Sequence, residues 1–219
     1  MTRVGLTQRV EVIKEYGERR DCLDQQWTVL LESLGYTPVP LPNRVNEADH
    51  YLDSLDLNAI VLTSGNDLTS VDDPSTPAPE RDDFEVTTLE YAIDNDIPVL
   101  GVCRGLELIN EYFGGTISPT TGHVACTHDI DFYDSDHTAD TEFTLPDRTT
   151  VNSYHDYAIE STDVGEPLCV LGTAPDDTVE CVVHESLPVW AIMWHPERES
   201  PSEALDRQIL NHVFSGEKQ

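Results

Sequence analysis

The chain has 219 residues, 38% of them hydrophobic, and sets 42 acidic side chains against 12 Lys and Arg, for a formal net charge of -30. That balance excludes duplex nucleic acid and anionic membrane as partners, because binding phosphate requires a basic patch. The length suits one α/β domain over residues 1–219 without internal repeats, and five cysteines without framework spacing read as reduced thiols.

In chain order, Val4-Gly5-Leu6-Thr7 predicts a short first strand, and Arg9 to Arg20 is a polar segment in which charge alternates with Val10, Val12, Ile13 and Tyr16. Asp21 is placed to cap a helix whose apolar spacing runs Leu23, Trp27, Leu30, Leu31, Leu34 and stops at Gly35. Thr37 to Leu41 is extended, as its prolines demand. Ala59-Ile60-Val61-Leu62 predicts a buried parallel strand delivering the turn Ser64-Gly65-Asn66-Asp67. Asp72 to Asp83, rich in proline and acid, reads as a surface loop, and Phe84 to Ile93 has helical spacing.

The apolar run Ile97 to Leu100 then leads through Gly101-Val102-Cys103-Arg104-Gly105 into a helical segment with Leu106, Leu108, Ile109 and Phe113. Beyond Gly114-Gly115, the stretches Asp129 to Phe143, Ala158 to Glu160, Cys169 to Thr173 and Val179 to Val183 predict short antiparallel strands. Val189 to Met193 returns to a buried strand that ends at Trp194-His195-Pro196-Glu197, and Ala204 to Phe214 makes a closing helix. Alternating strands and helices predict a doubly wound α/β fold with a mostly parallel sheet, whose ligands bind beyond the carboxyl ends of the strands.

A strand, a glycine-flanked turn and a helix set Cys103 as a nucleophile elbow, its sulfur exposed at the sheet edge. The helix N-terminus favours an anion there, so the thiolate is expected near neutral pH. His195 follows a buried strand, and Glu197 lies two residues on, within reach to orient it as the base. For the oxyanion, the backbone N–H of Arg104 and one from Gly65 or Asn66 are the expected donors. His123, Cys126 and His128 have the residue types of a metal site but show no clear fourth ligand, so no metal is expected.

Taken together, Ser64-Gly65-Asn66-Asp67, Gly101-Val102-Cys103-Arg104-Gly105, Val151-Asn152-Ser153-Tyr154-His155 and Trp194-His195-Pro196-Glu197 resemble the motifs of class I glutamine amidotransferase-like hydrolases. Within that class the chain is most similar to the γ-glutamyl-γ-aminobutyrate hydrolase group, peptidase family C26. The resemblance implies a flavodoxin-like α/β/α sandwich, with Cys103 as nucleophile, His195 as base and acid, and Glu197 as its orienting partner. It implies a small γ-glutamyl substrate, a glutamyl thioester resolved by water, no cofactor or metal, and Asn152, Ser153, Tyr154 and His155 around the substrate.

Glu107 departs from that pattern, standing where the family often has a substrate-holding glutamine; a carboxylate there attracts an α-ammonium and repels an α-carboxylate. The segments Thr7 to Val10, Tyr16 to Asp21 and Leu41 to Asn43 resemble a subgroup that includes γ-glutamyl-CDP-amidate hydrolase, in which Arg9, Arg19 and Arg20 would suit a pyrophosphate. The same residues also read as surface arginines paired with local acids. Alternatives are a glutaminase subunit feeding ammonia to a separate synthetase partner, a homo-oligomer, and a non-enzymatic binding protein on the same scaffold.

No signal peptide or apolar span is apparent, so a cytoplasmic location is expected. The acids are dispersed as a coat, which suits a cytosol whose salt screens self-repulsion within a few ångströms. Unfolding curves in low and multimolar KCl check this: stability is expected to rise with salt, and a flat response would refute the high-salt reading.

Overall fold

The structure is a computed structural model that describes residues 2–133 and 144–215. In its first half come β1 (Arg3–Leu6), β2 (Arg9–Ile13), β3 (Glu18–Cys22), α1 (Gln25–Ser33), β4 (Thr37–Pro40), α2 (Ala48–Leu55), β5 (Ala59–Leu62), α3 (Pro79–Asp94), β6 (Val99–Val102) and α4 (Arg104–Tyr112). The second half holds β7 (Ser118–Pro119), β8 (Val124–Phe132), β9 (Arg148–Tyr154), β10 (Tyr157–Ala158), β11 (Leu168–Thr173), β12 (Val179–His184), β13 (Val189–Ile192) and α5 (Glu203–Phe214).

Strands β5, β6 and β13 are buried at every position, which a sheet achieves only when both faces are covered. Each such Leu, Ile or Val contributes about 1.5–3 kcal/mol by leaving water. The main sheet runs β4-β1-β5-β6-β13-β12-β11-β8-β9. The first five strands pair in parallel and the rest antiparallel. Taking the parallel strands alone in chain order gives 2-1-3-4-5, the flavodoxin-like arrangement, so the α/β/α sandwich with antiparallel additions is as expected.

Local details differ from the sequence reading. The polar Arg9 to Arg20 segment lies in the β2–β3 hairpin, a separate two-stranded sheet. Asp24, not Asp21, caps α1 by accepting from the Gln26 N–H at 2.9 Å. Asp21 instead sits in β3 and accepts from the Asn43 side chain at 2.7 Å. Helix α3 begins at Pro79 inside the expected surface loop, because proline suits a first helical turn and Arg81 has a buried partner. Strand β8 starts earlier than Asp129, and residues 134–143 of the strand expected there lie outside the described residues.

Candidate active site

Strand β6 ends at Val102, and the chain turns at once into α4, placing Cys103 at the joint with φ 53 and ψ -105. A non-glycine residue holds such a backbone only where its surroundings impose it. Here α4 presses directly on the sheet: a Cβ on Gly105 would collide with the Leu62 carbonyl oxygen, and one on Gly101 would come within 2.7 Å of Gly105 backbone. The flanking glycines are therefore needed for close approach of helix to strand. The Cys103 N–H donates to Ile192 O at 2.8 Å, tying the elbow to the end of β13.

His195 follows β13 by three residues, and β13 is the parallel neighbour of β6, with Ile192 opposite Val102. Both side chains of the His195–Glu197 pair are 1% exposed, and Nδ1 lies 2.8 Å from Glu197 Oε1. That bond assigns the ring proton to Nδ1 and leaves Nε2, which is buried without a hydrogen-bond partner, as a proton acceptor. Asn152 fixes the backbone beneath: its amide donates to His195 O at 2.9 Å and its oxygen accepts from His195 N at 2.8 Å.

The thiol departs from the expected free thiolate. Cys103 is only 8% exposed, and burial first, then the Glu107 carboxylate, push its pKa well above the usual range. The Arg104 amide and Arg198 pull the other way and lose. Cys103 therefore rests as a thiol, and a thiolate at this position would require a base.

Glu107, on the first turn of α4, is itself raised to about 7, burial being the main cause. Arg104 and His155 lower it, while Asp156 and Asp67 raise it. The Arg104 guanidinium is turned to Asp82 and Glu85, so it acts on Glu107 only through space.

The Gly65-Asn66 loop is held from behind. Gly65 takes φ 88 and Asn66 φ 61, left-handed conformations that glycine accepts without penalty. The Asn66 side chain accepts from Val10 N and donates to Val10 O. Arg81, fully buried, donates to the carbonyl oxygens of Thr63, Ser64 and Gly65. Among the described residues, neither the Gly65 nor the Asn66 N–H donates to another backbone group.

Glu85 bonds both Arg81 and Arg104, linking this loop to the residue after Cys103. Burial opposes its ionisation, but Arg104 and Arg81 outweigh it and hold the carboxyl below its ordinary value. Sequence reading missed Arg81 and Glu85. Their i,i+4 spacing is a helix signal, but nothing local marks them as buried.

Of the residues expected around substrate, Tyr154 is exposed, stands edge-on to His195 with centroids 5.4 Å apart, and carries the Arg198 guanidinium 4.3 Å above its ring. Asn152 and Ser153 are buried and bonded internally, although Asn152 also borders a pocket with Tyr154. Asn152 grips His195 as above, and the Ser153 hydroxyl donates to His123 O at 2.6 Å. His155 is buried with Nδ1 on Tyr157 O at 2.7 Å. Arg19 and Arg20 sit on the exposed β2–β3 hairpin, bonded to Glu80 and Glu18, so both are already paired with local acids. Arg19 nevertheless borders a groove with Asn43 and Arg44.

A flavodoxin-like sheet with an elbow cysteine and a strand-end histidine at its carboxyl edge defines a glutamine amidotransferase-like amide hydrolase, and its relatives agree. The chain belongs to the Peptidase C26 family, whose model matches residues 4–197. It is 34% identical over 215 residues to the γ-glutamyl-CDP-amidate hydrolase of Campylobacter jejuni, covering 97% of each chain. It is 29% identical over 158 residues to anthranilate synthase component 2 of Methanothermobacter marburgensis, covering 70% of this chain and 72% of that one. A solved glutamine amidotransferase from Thermotoga maritima shares the fold, with TM-score 0.65 and 15% identity over 96% of this chain and 82% of that one. No helix among the described residues is long and apolar enough to cross a membrane.

Proposed function

We propose that the chain hydrolyses the γ-glutamyl amide bond of a small compound through a glutamyl thioester on Cys103. The observation that carries this is His195: buried, held at Nδ1 by Glu197, with Nε2 open on the strand beside the elbow. Nε2 takes the thiol proton as sulfur bonds the γ-carbonyl carbon, and the oxygen gathers charge against the N–H groups of Arg104 and the Gly65-Asn66 loop. The same proton passes to the leaving amine as its C–N bond breaks. Water, deprotonated by His195, then attacks the thioester, and the sulfur leaves to regain its proton as glutamate departs.

The likeness over 97% of both chains to a γ-glutamyl-CDP-amidate hydrolase favours a nucleotide-linked γ-glutamyl amide as the substrate, and Arg19 and Arg44 border a groove that Glu80 and Asp83 also line. A panel of γ-glutamyl compounds scored for released glutamate tests this, and equal rates with and without the nucleotide would remove the nucleotide reading. The likeness to anthranilate synthase component 2 supports the second reading, a glutaminase subunit. Glutaminase activity that appears only when a second protein is added would favour it.

Glu107 supplies a pH prediction. Its folded pKa of about 7 lies above the ordinary 4.5, so its contribution to stability is full below about pH 4.5 and lost as pH rises through about 7. That shift corresponds to about 3 kcal/mol. Glu107→Gln should therefore unfold at higher denaturant than the parent at pH 8, the gap closing toward pH 4. Because the ionised carboxylate also raises the Cys103 thiol, the variant should keep kcat/KM from pH 7 to 8.5 better than the parent. Parallel profiles for the two proteins would remove the assignment.

A further inference from the structure

The antiparallel half of the sheet gathers three imidazoles, two of them buried, around one buried carboxylate. His123 precedes β8, His128 lies within it, His155 follows β9, and Glu180 is on β12. Their exposures are 4% for His123, 3% for His155 and 0% for Glu180. A ligand atom from each of His123, His155 and Glu180 lies within 4.8 Å of the other two. We propose that His123, His155 and Glu180, with His128 as fourth ligand, form a structural site for one zinc-class divalent cation.

Hydrogen bonding at the outer nitrogens comes first. His123 Nε2 is 2.8 Å from Asp176 Oδ2, and His155 Nδ1 is 2.7 Å from Tyr157 O. A neutral ring donating outward to a carboxylate or carbonyl presents its other nitrogen inward as a lone pair, the usual support of a metal-bound histidine. Those inward atoms, His123 Nδ1 and His155 Nε2, have no hydrogen-bond partner among the described residues, nor do His128 Nε2 and both Glu180 oxygens. His123, His155 and Glu180 converge, His128 meets the set at Glu180, and such polar atoms without hydrogen bonds are what a bound cation would satisfy.

The spacing agrees. His128 Nε2 and His155 Nε2 each stand 3.4 Å from Glu180 Oε1. A charge-assisted hydrogen bond would be about 2.7–2.9 Å. Two ligands on a tetrahedral ion with bonds of about 2.0–2.1 Å lie about 3.3 Å apart. The competing arrangement, imidazolium rings neutralising Glu180, would place like charges on rings whose centroids are only 4.6 Å (His123 to His155) and 5.0 Å (His123 to His128) apart. With a divalent ion, neutral rings, Glu180 and the outer Asp176, the charges sum to zero. Cys126 is outside the set, its sulfur donating to Gly122 O at 3.1 Å.

The experiment uses the full chain carrying Cys103→Ala, so that the elbow thiol cannot bind metal. It is stripped with chelator, held in high KCl to screen the acidic surface, and titrated with Co²⁺ and Zn²⁺. One equivalent is expected to bind, with the intense visible absorption of four-coordinate Co²⁺, and Zn²⁺ should displace it and raise the unfolding midpoint. Asp176→Asn, whose side chain is half exposed, should fold and bind 10–100-fold more weakly. His123→Ala should bind none, and His50→Ala on α2 should match the parent. No stoichiometric uptake, weak octahedral-type absorption, or equal affinity in the parent and Asp176→Asn would each overturn the site.

Discussion

Cys103→Ala is expected to lower kcat for a γ-glutamyl amide by about 10⁴-fold or more, the loss seen when one member of a nucleophile–base unit is removed. Stability is expected to move little, because sulfur is a weak acceptor and its contact with the Arg104 amide is a minor loss. A second substitution separates chemistry from folding. Cys103 holds φ 53 and ψ -105, a backbone that costs a non-glycine residue about 1–3 kcal/mol. Cys103→Gly should therefore be as inactive as the alanine variant yet more stable than it, measured by denaturant midpoint. An alanine variant with residual activity within tenfold of the parent would sink the thioester mechanism. Reaction with a glutamine-like electrophile gives the complementary readout, a mass adduct on Cys103 in the parent that is absent from both variants.

The second large effect concerns the pair of buried cations. Glu85 is fully buried and bonds both Arg81 and Arg104, so Glu85→Met leaves two guanidiniums facing each other, offset by Asp82 and, through space, Glu107. Breaking a buried pair in this way typically costs about 3–5 kcal/mol. Burial has already lowered Arg81 to about 10 despite Glu85 beside it, which shows how little solvation that charge retains. Adding Arg81→Met to the first substitution removes the excess charge and should restore much of the stability. Activity should stay low, because the carbonyls of Thr63, Ser64 and Gly65 would still lack the donor that shapes the Gly65-Asn66 loop. If activity returned together with stability, Arg81 would have no positioning role.

Residues whose roles depend on near neighbours were legible in the sequence. The apolar runs Ala59 to Leu62, Ile97 to Leu100 and Val189 to Met193 marked the buried strands found at Ala59–Leu62, Val99–Val102 and Val189–Ile192, since only a sheet covered on both faces accepts them. The elbow followed from two glycines around Cys103, and the His195–Glu197 bond spans two residues. Tertiary structure decided what depends on distant chain. The sign of the Cys103 shift was misjudged because a helix terminus acts locally, whereas burial and Glu107 are set by packing and outweigh it. Asn152 reads as a loop residue until the fold brings it against His195, and Arg81 as a surface charge until α3 closes over the Thr63–Gly65 carbonyls. His123, His155 and Glu180 come together only because strands distant in sequence meet in the sheet. Periodicity and turn chemistry record short-range preferences, while desolvation and charge pairing belong to the finished packing.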